Sequence, residues 1–134
     1  MIQNKIIEAE DSQTENLQIF GYEESPSWDD PLYFYGSEKH KVRTMGSNDR
    51  LSPTLPITEA QIHYAIKYEM ALTIEDVLSR RTRCLLLNAK KSMELAPKVA
   101  QIMARYLKKD KDWEREQTDI FILLASNYSI GHHL

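Results

Sequence analysis

The residues best equipped for chemistry in this sequence lie close together: Glu69, Asp76, Arg80, Arg81, Thr82 and Arg83. Carboxylates near guanidinium groups serve one of two ends. They form ion pairs that tie elements together, or they leave a planar guanidinium fork free to bind carboxylates, phosphate or backbone carbonyls of a partner. Asp76 and Arg80 are four apart, in the acid-before-base order that a helix favours. Internal pairing is the first reading of this cluster, and docking through the arginines is the second.

No other residues assemble into a catalytic, cofactor-binding or metal-binding set. Cys84 precedes Leu85, Leu86 and Leu87, which predicts a buried structural thiol rather than a nucleophile activated by a base in an open, electropositive setting. His63 has no histidine or cysteine three or four positions away and is expected to be satisfied or exposed rather than a ligand. The terminal His132 and His133 read as solvated. The four glycines, Gly21, Gly36, Gly46 and Gly131, stand isolated, so no phosphate loop is present.

The elements that must position the cluster start at helix caps. Thr58 and Gln61 form a capping box, with Ile57 and Ile62 as its hydrophobic staple. The helix that follows presents Ile62, Ala65, Ile66 and Met70 on one face, with Tyr64 and Tyr68 stacked beside it. Thr73 and Asp76 repeat the box, with Leu72 and Val77 as the staple. This second helix is predicted to reach Leu87 or Asn88 with Ile74, Val77, Leu78, Arg81 and Leu85 along one stripe. An arginine in an apolar stripe requires a partner or an interface.

Further on, Pro97 is expected to split residues 89–108 into a short piece ending near Leu95 and a longer one carrying Val99, Ala100, Met103, Tyr106 and Leu107. Asp112 is the expected cap of a last helix with the stripe Trp113, Gln117, Ile120, Phe121, Leu124 and Tyr128. Upstream, short helices are expected from Pro31 to Gly36 and from Ser37 to Met45, followed by an irregular connection through Pro53 and Pro56. Residues 1–30 hold eight acidic residues against Lys5 alone and read as an extended acidic leader, with at most a short extended segment at Leu17 and Ile19. The expected fold is all-α: a small orthogonal domain of about five to six helices over residues 31–130.

Composition sets the remaining bounds. A chain of 134 residues with 42% hydrophobic and 28% charged residues suits one globular core. A single cysteine forbids an internal disulfide and a four-cysteine zinc site, which suggests a reducing, cytoplasmic setting. No run approaches a membrane span, and no basic-then-apolar signal pattern opens the chain. Basic clusters as short as Arg80 to Arg83 and Lys108-Lys109 argue against a nucleic-acid surface.

The run from Thr58 to Arg83 resembles the signature of the C-terminal domain of FAD-dependent glycerol-3-phosphate dehydrogenases and glycerophosphate oxidases. Tyr64-Ala65, Glu69-Met70-Ala71, Thr73, Glu75-Asp76, Leu78 and Arg80-Arg81-Thr82-Arg83 carry the resemblance. Tyr35-Gly36-Ser37, Leu87-Asn88-Ala89, Ala96-Pro97 and Trp113 extend it to about residues 14–128. Such enzymes bind FAD through a glycine-fingerprint domain that nothing in this sequence matches, so the chain looks like the terminal domain alone, begun at an artificial or internal methionine. The resemblance implies a parent that oxidises sn-glycerol 3-phosphate to dihydroxyacetone phosphate with FAD. It implies no cofactor and no activity in this fragment, whose partners would be the FAD domain of the same polypeptide or a second copy in a homodimer. The parent would lie in the cytoplasm or peripherally at the inner face of the cell membrane. The rival reading is a free-standing helical adaptor that binds a protein through the Arg80 to Arg83 face.

Overall fold

The computed structural model describes residues 11–129. Residues 11–32 form turns without helix or strand, and the chain then enters a 3-10 helix, Tyr33–Glu38, that kinks at Gly36 (φ 53°, ψ −130°). The stop expected at Gly36 is therefore a kink, and helix α1, Lys39–Arg43, follows at once. Leu17 and Ile19, where at most a short extended segment was expected, form no strand. An irregular stretch leads on from α1, held by one antiparallel bridge between Arg50 and Thr58.

Helix α2, Glu59–Tyr68, starts at the predicted capping box. The Thr58 hydroxyl accepts from the Gln61 amide at 3.2 Å, and the Thr58 amide donates to Gln61 Oε1 at 2.8 Å. Both staple residues, Ile57 and Ile62, are buried. Met70, expected on the apolar face, lies beyond the helix end in the left-handed region (φ 57°) and is exposed. The helix stops two residues earlier than its apolar period suggests.

The second box also forms, but the helix behind it differs from expectation. A π-helix, Asp76–Arg81, follows the box, and the amide and hydroxyl of Thr82 both donate to the Val77 carbonyl. Arg83 then turns left-handed (φ 56°), which separates the short helix α3, Cys84–Leu87, from what was expected to be one continuous helix. Leu72, expected to staple the start, is exposed while Val77 is buried.

Helix α4, Ala89–Leu107, is capped by Asn88 and runs unbroken through Pro97. The predicted division fails because Pro97 sits on the exposed face, where water can serve the Met93 carbonyl that lost its donor. Helix α5, Lys111–Ser126, is capped by Asp110, which accepts from the Trp113 amide at 2.9 Å, and not by Asp112.

Helices α4 and α5 pack against each other, and α2 packs on α4. The main core joins Leu55, Ile57, Ile62, Ile74, Val77 and Leu78 to Val99, Met103 and Phe121. A smaller cluster of Leu32, Tyr35, Val42, Ala60 and Tyr64 binds the 3-10 helix and α1 to the first turns of α2. Along the last helix, Phe121 is buried as expected, but Ile120 and Tyr128 are exposed. Among the described residues the domain is all-α.

Candidate functional site

The Glu69 to Arg83 cluster sits where α2 ends and the π-helix begins. The end of α2 leaves carbonyls without helical donors. Arg81 supplies two: Nε and Nη2 both donate to the Glu69 carbonyl, at 3.1 and 2.6 Å. Its positive charge also lies at the negative end of the helix dipole. The Glu69 carboxylate is less well served. Its Oε2 is buried, lies 3.9 Å from Arg81 Nε, too long for a hydrogen bond, and has no hydrogen-bond partner. Burial pushes the Glu69 carboxyl above its ordinary value, with Arg81 opposing.

Asp76 and Arg80 form the predicted pair. Asp76 Oδ2 accepts from the Leu72 and Thr73 amides, each at 3.0 Å, and from the Thr73 hydroxyl at 2.9 Å. Oδ1 accepts from Arg80 at 2.5 Å, and Arg80 also donates to Glu75 at 2.7 Å. Burial raises the Asp76 carboxyl, but these donors outweigh it and hold the group below its ordinary value. Thr82 is buried, its hydroxyl on the Val77 carbonyl and beside Cys84 Sγ. Arg80 and Arg83 are the exposed members of the six, and Arg83 alone makes no ion pair or side-chain hydrogen bond to an acid among the described residues.

Glu69, Asp76, Arg80, Arg81 and Thr82 thus all make internal bonds, and those from Arg81 to the Glu69 carbonyl are the ones that join the end of α2 to the π-helix. Among the described residues the geometry brings together no nucleophile with a base. Cys84 is fully buried, and burial pushes its thiol upward. His63 donates from Nδ1 to the Met45 carbonyl at 2.8 Å, stacks on Tyr106, and lies 3.8 Å from Glu59. No group of three or more potential metal ligands occurs among the described residues. No helix among them is long and apolar enough to cross a membrane. His132 and His133 lie outside the described residues. A cavity of about 130 Å³ between Pro31, Leu32, Pro56 and Gln61 is edged by Arg43 and Asp30, which already pair with each other.

What the sequence reading missed is an aromatic ladder and the way the leader grips it. Trp28, Tyr33, Phe34, Tyr35, Tyr64 and Tyr68 stack in succession, with centroids 4.5–5.7 Å apart. Burial and the Glu38 and Glu69 carboxylates push Tyr64 up to about 12. The Lys41 ammonium lies 5.8 Å from the Phe20 ring and 5.0 Å from the Tyr68 ring. Leader acids also pair with α1: Glu23 with Lys39, and Asp30 with Arg43 at 2.6 Å. The spacing of Tyr64 and Tyr68 was a local sign of the ladder, but no local pattern pairs residues so far apart in sequence.

The family model for the C-terminal domain of alpha-glycerophosphate oxidase matches residues 12–114, from the leader to the first turn of α5. This chain belongs to that family. It is 40% identical over 83 residues to the probable mitochondrial glycerol-3-phosphate dehydrogenase of Dictyostelium discoideum, covering 62% of this chain and 12% of that protein. The human mitochondrial glycerol-3-phosphate dehydrogenase is 34% identical over 94 residues, covering 63% of this chain and 13% of that protein. The Schizosaccharomyces pombe enzyme is 34% identical over 76 residues, 57% of this chain and 11% of its own length. The chain thus spans about an eighth of the curated relatives it matches. No solved structure matches it. The relatives' names correct one expectation: they are mitochondrial proteins, so the cytoplasmic setting inferred from a single cysteine does not stand. A scarcity of disulfides marks a reducing environment, which the cytoplasm does not monopolise.

Proposed function

We propose that this chain is the C-terminal helical domain of an FAD-dependent glycerol-3-phosphate dehydrogenase and packs on the flavin domain of the same polypeptide. The observation that carries the reading is the family match over residues 12–114, which takes in the leader and every described helix up to the start of α5. In the parent, sn-glycerol 3-phosphate would be oxidised to dihydroxyacetone phosphate, with FAD as the hydride acceptor. The residues of this domain do not fit that cofactor. The N-termini of α2, α4 and α5 are each closed by a side chain of their own, Thr58, Asn88 and Asp110, and no glycine-rich turn precedes any of them. We therefore assign no chemical step to it. Its part is structural, and its expected address is that of its mitochondrial relatives.

The test is to express the full-length gene product beside the isolated domain. A yellow full-length protein that reduces a dye in the presence of glycerol 3-phosphate, with a colourless and inactive isolated domain, is the expected result. An open reading frame with no flavin domain would instead favour the free-standing adaptor, and stoichiometric FAD on the isolated domain would overturn the assignment of chemistry.

A further inference from the structure

We propose that the face formed by Leu17, Ile19, Phe20, Tyr68 and Met70 is the seat of the flavin domain that precedes this one, an inference that rests on the function proposed above. Phe20 is 78% exposed, Ile19 70% and Met70 80%, large apolar side chains carried by the leader and by the segment that ends α2. Lys41 connects them. Its ammonium lies within reach of both the Phe20 and Tyr68 rings, so the leader and the end of α2 share one surface.

Met70 adds an independent observation. It occupies the left-handed region, where glycine is the usual residue at a helix end and a Cβ is disfavoured. The chain is held there from both sides: Ala71 is buried with its amide on the Ala65 carbonyl, and Arg81 grips the Glu69 carbonyl. A large apolar side chain is thus aimed outward from a rigid turn, which suits contact with a partner better than it suits stability.

The occupant follows from chain order. The family is named for a C-terminal domain, and the matched residues are only 12% of the first relative's length, so in such a polypeptide the bulk of the chain precedes this domain. It reaches the helices through the leader. The leader is fastened to α1 by Glu23 and Asp30 and passes Gly21 against Gly36, so the preceding domain is delivered to the face on which Phe20 lies.

Photo-crosslinking in the full-length protein tests this, with benzoylphenylalanine placed at Phe20 or Met70 and, for reference, at the exposed Leu123 of α5. Crosslinks within one chain, from positions 20 and 70 into the flavin domain and none from 123, are expected. Crosslinks only between two copies, or from 123 alone, overturn the proposal while leaving the parent's identity intact if the protein is yellow. A full-length protein without a flavin domain overturns both. Met70→Glu, at a site too exposed to harm the fold, should speed protease cleavage of the leader about tenfold in the full-length protein, with Leu123→Glu unchanged. Equal rates for the two variants also overturn it.

Discussion

Arg81 shows what a lone charged residue in an apolar stripe is for. Its fork closes the end of α2 through the Glu69 carbonyl, and its charge is the counterweight to a carboxylate that burial has already raised. Because both side chains are about 30% exposed and the ion pair is long, Arg81→Ala should cost about 1–3 kcal/mol, less than a fully buried pair would lose. Urea unfolding measures it, and Arg81→Lys should recover only part of the loss because an ammonium has no fork. Asp76 makes a pH prediction. Its folded pKa lies below 3.8, so the stability it contributes is present above that value and is lost as pH falls through the lowered one. Asp76→Asn should therefore be less stable than wild type at neutral pH, and the gap should close below pH 3.8. Glu69 works with the opposite sign: its raised pKa favours the fold in acid, and that contribution is lost as pH rises through it. The need for an Arg81 partner was legible from the helical period alone. That the partner is mainly a backbone carbonyl was not, because the period says where a side chain points and nothing about which carbonyls a helix end leaves free.

Helix starts were more legible than helix ends. Thr58 with Gln61 and Thr73 with Asp76 are read from residues three apart, and the structure forms both boxes. Thr58→Ala should accordingly cost about 0.5–2 kcal/mol in urea or thermal unfolding. The end of α4 at Lys108 falls where the expected stretch 89–108 puts it, but the ends near Met70 and Arg83, non-glycine residues in the left-handed region, escape such reading. A sequence with no glycine at these positions gives no sign that a helix stops there. Pro97 misleads in the other direction, since on an exposed face a proline need not break a helix that packing against α5 holds straight. Lys108 offers a direct check of the left-handed caps. It ends α4 at φ 56°, with the Lys109 amide on the Ala104 carbonyl, and makes no ion pair among the described residues. Lys108→Gly should remove the Cβ strain and raise stability by about 0.5–1 kcal/mol, although glycine lowers helix stability elsewhere.

At the scale of the whole molecule, the leader meets the helices through one close approach of backbone as well as through its charged pairs. Gly36 adopts φ 53°, ψ −130°, where side chains are strained, and a Cβ there would fall 1.6 Å from the Gly21 carbonyl oxygen. Neither effect can be relieved by rotating a side chain, because both the obstacle and the strain are backbone. Gly21 is different. It too has a positive φ, 81°, but a Cβ there would meet the Tyr35 carbonyl at an ordinary 3.6 Å. Gly36→Ala should thus drive the leader off the 3-10 helix and cost at least about 3 kcal/mol, while Gly21→Ala should cost about 1 kcal/mol from its backbone conformation. The released leader would also lose the Glu23–Lys39 and Asp30–Arg43 pairs and the seat of Phe20 beside Lys41. Limited proteolysis with thermal unfolding distinguishes the outcomes. Rapid cleavage between residues 17 and 30 with a lowered melting temperature in Gly36→Ala, and near wild-type behaviour in Gly21→Ala, is expected. A leader that stays protected in Gly36→Ala would mean that the charged pairs, and not the glycine contact, fasten it to α1.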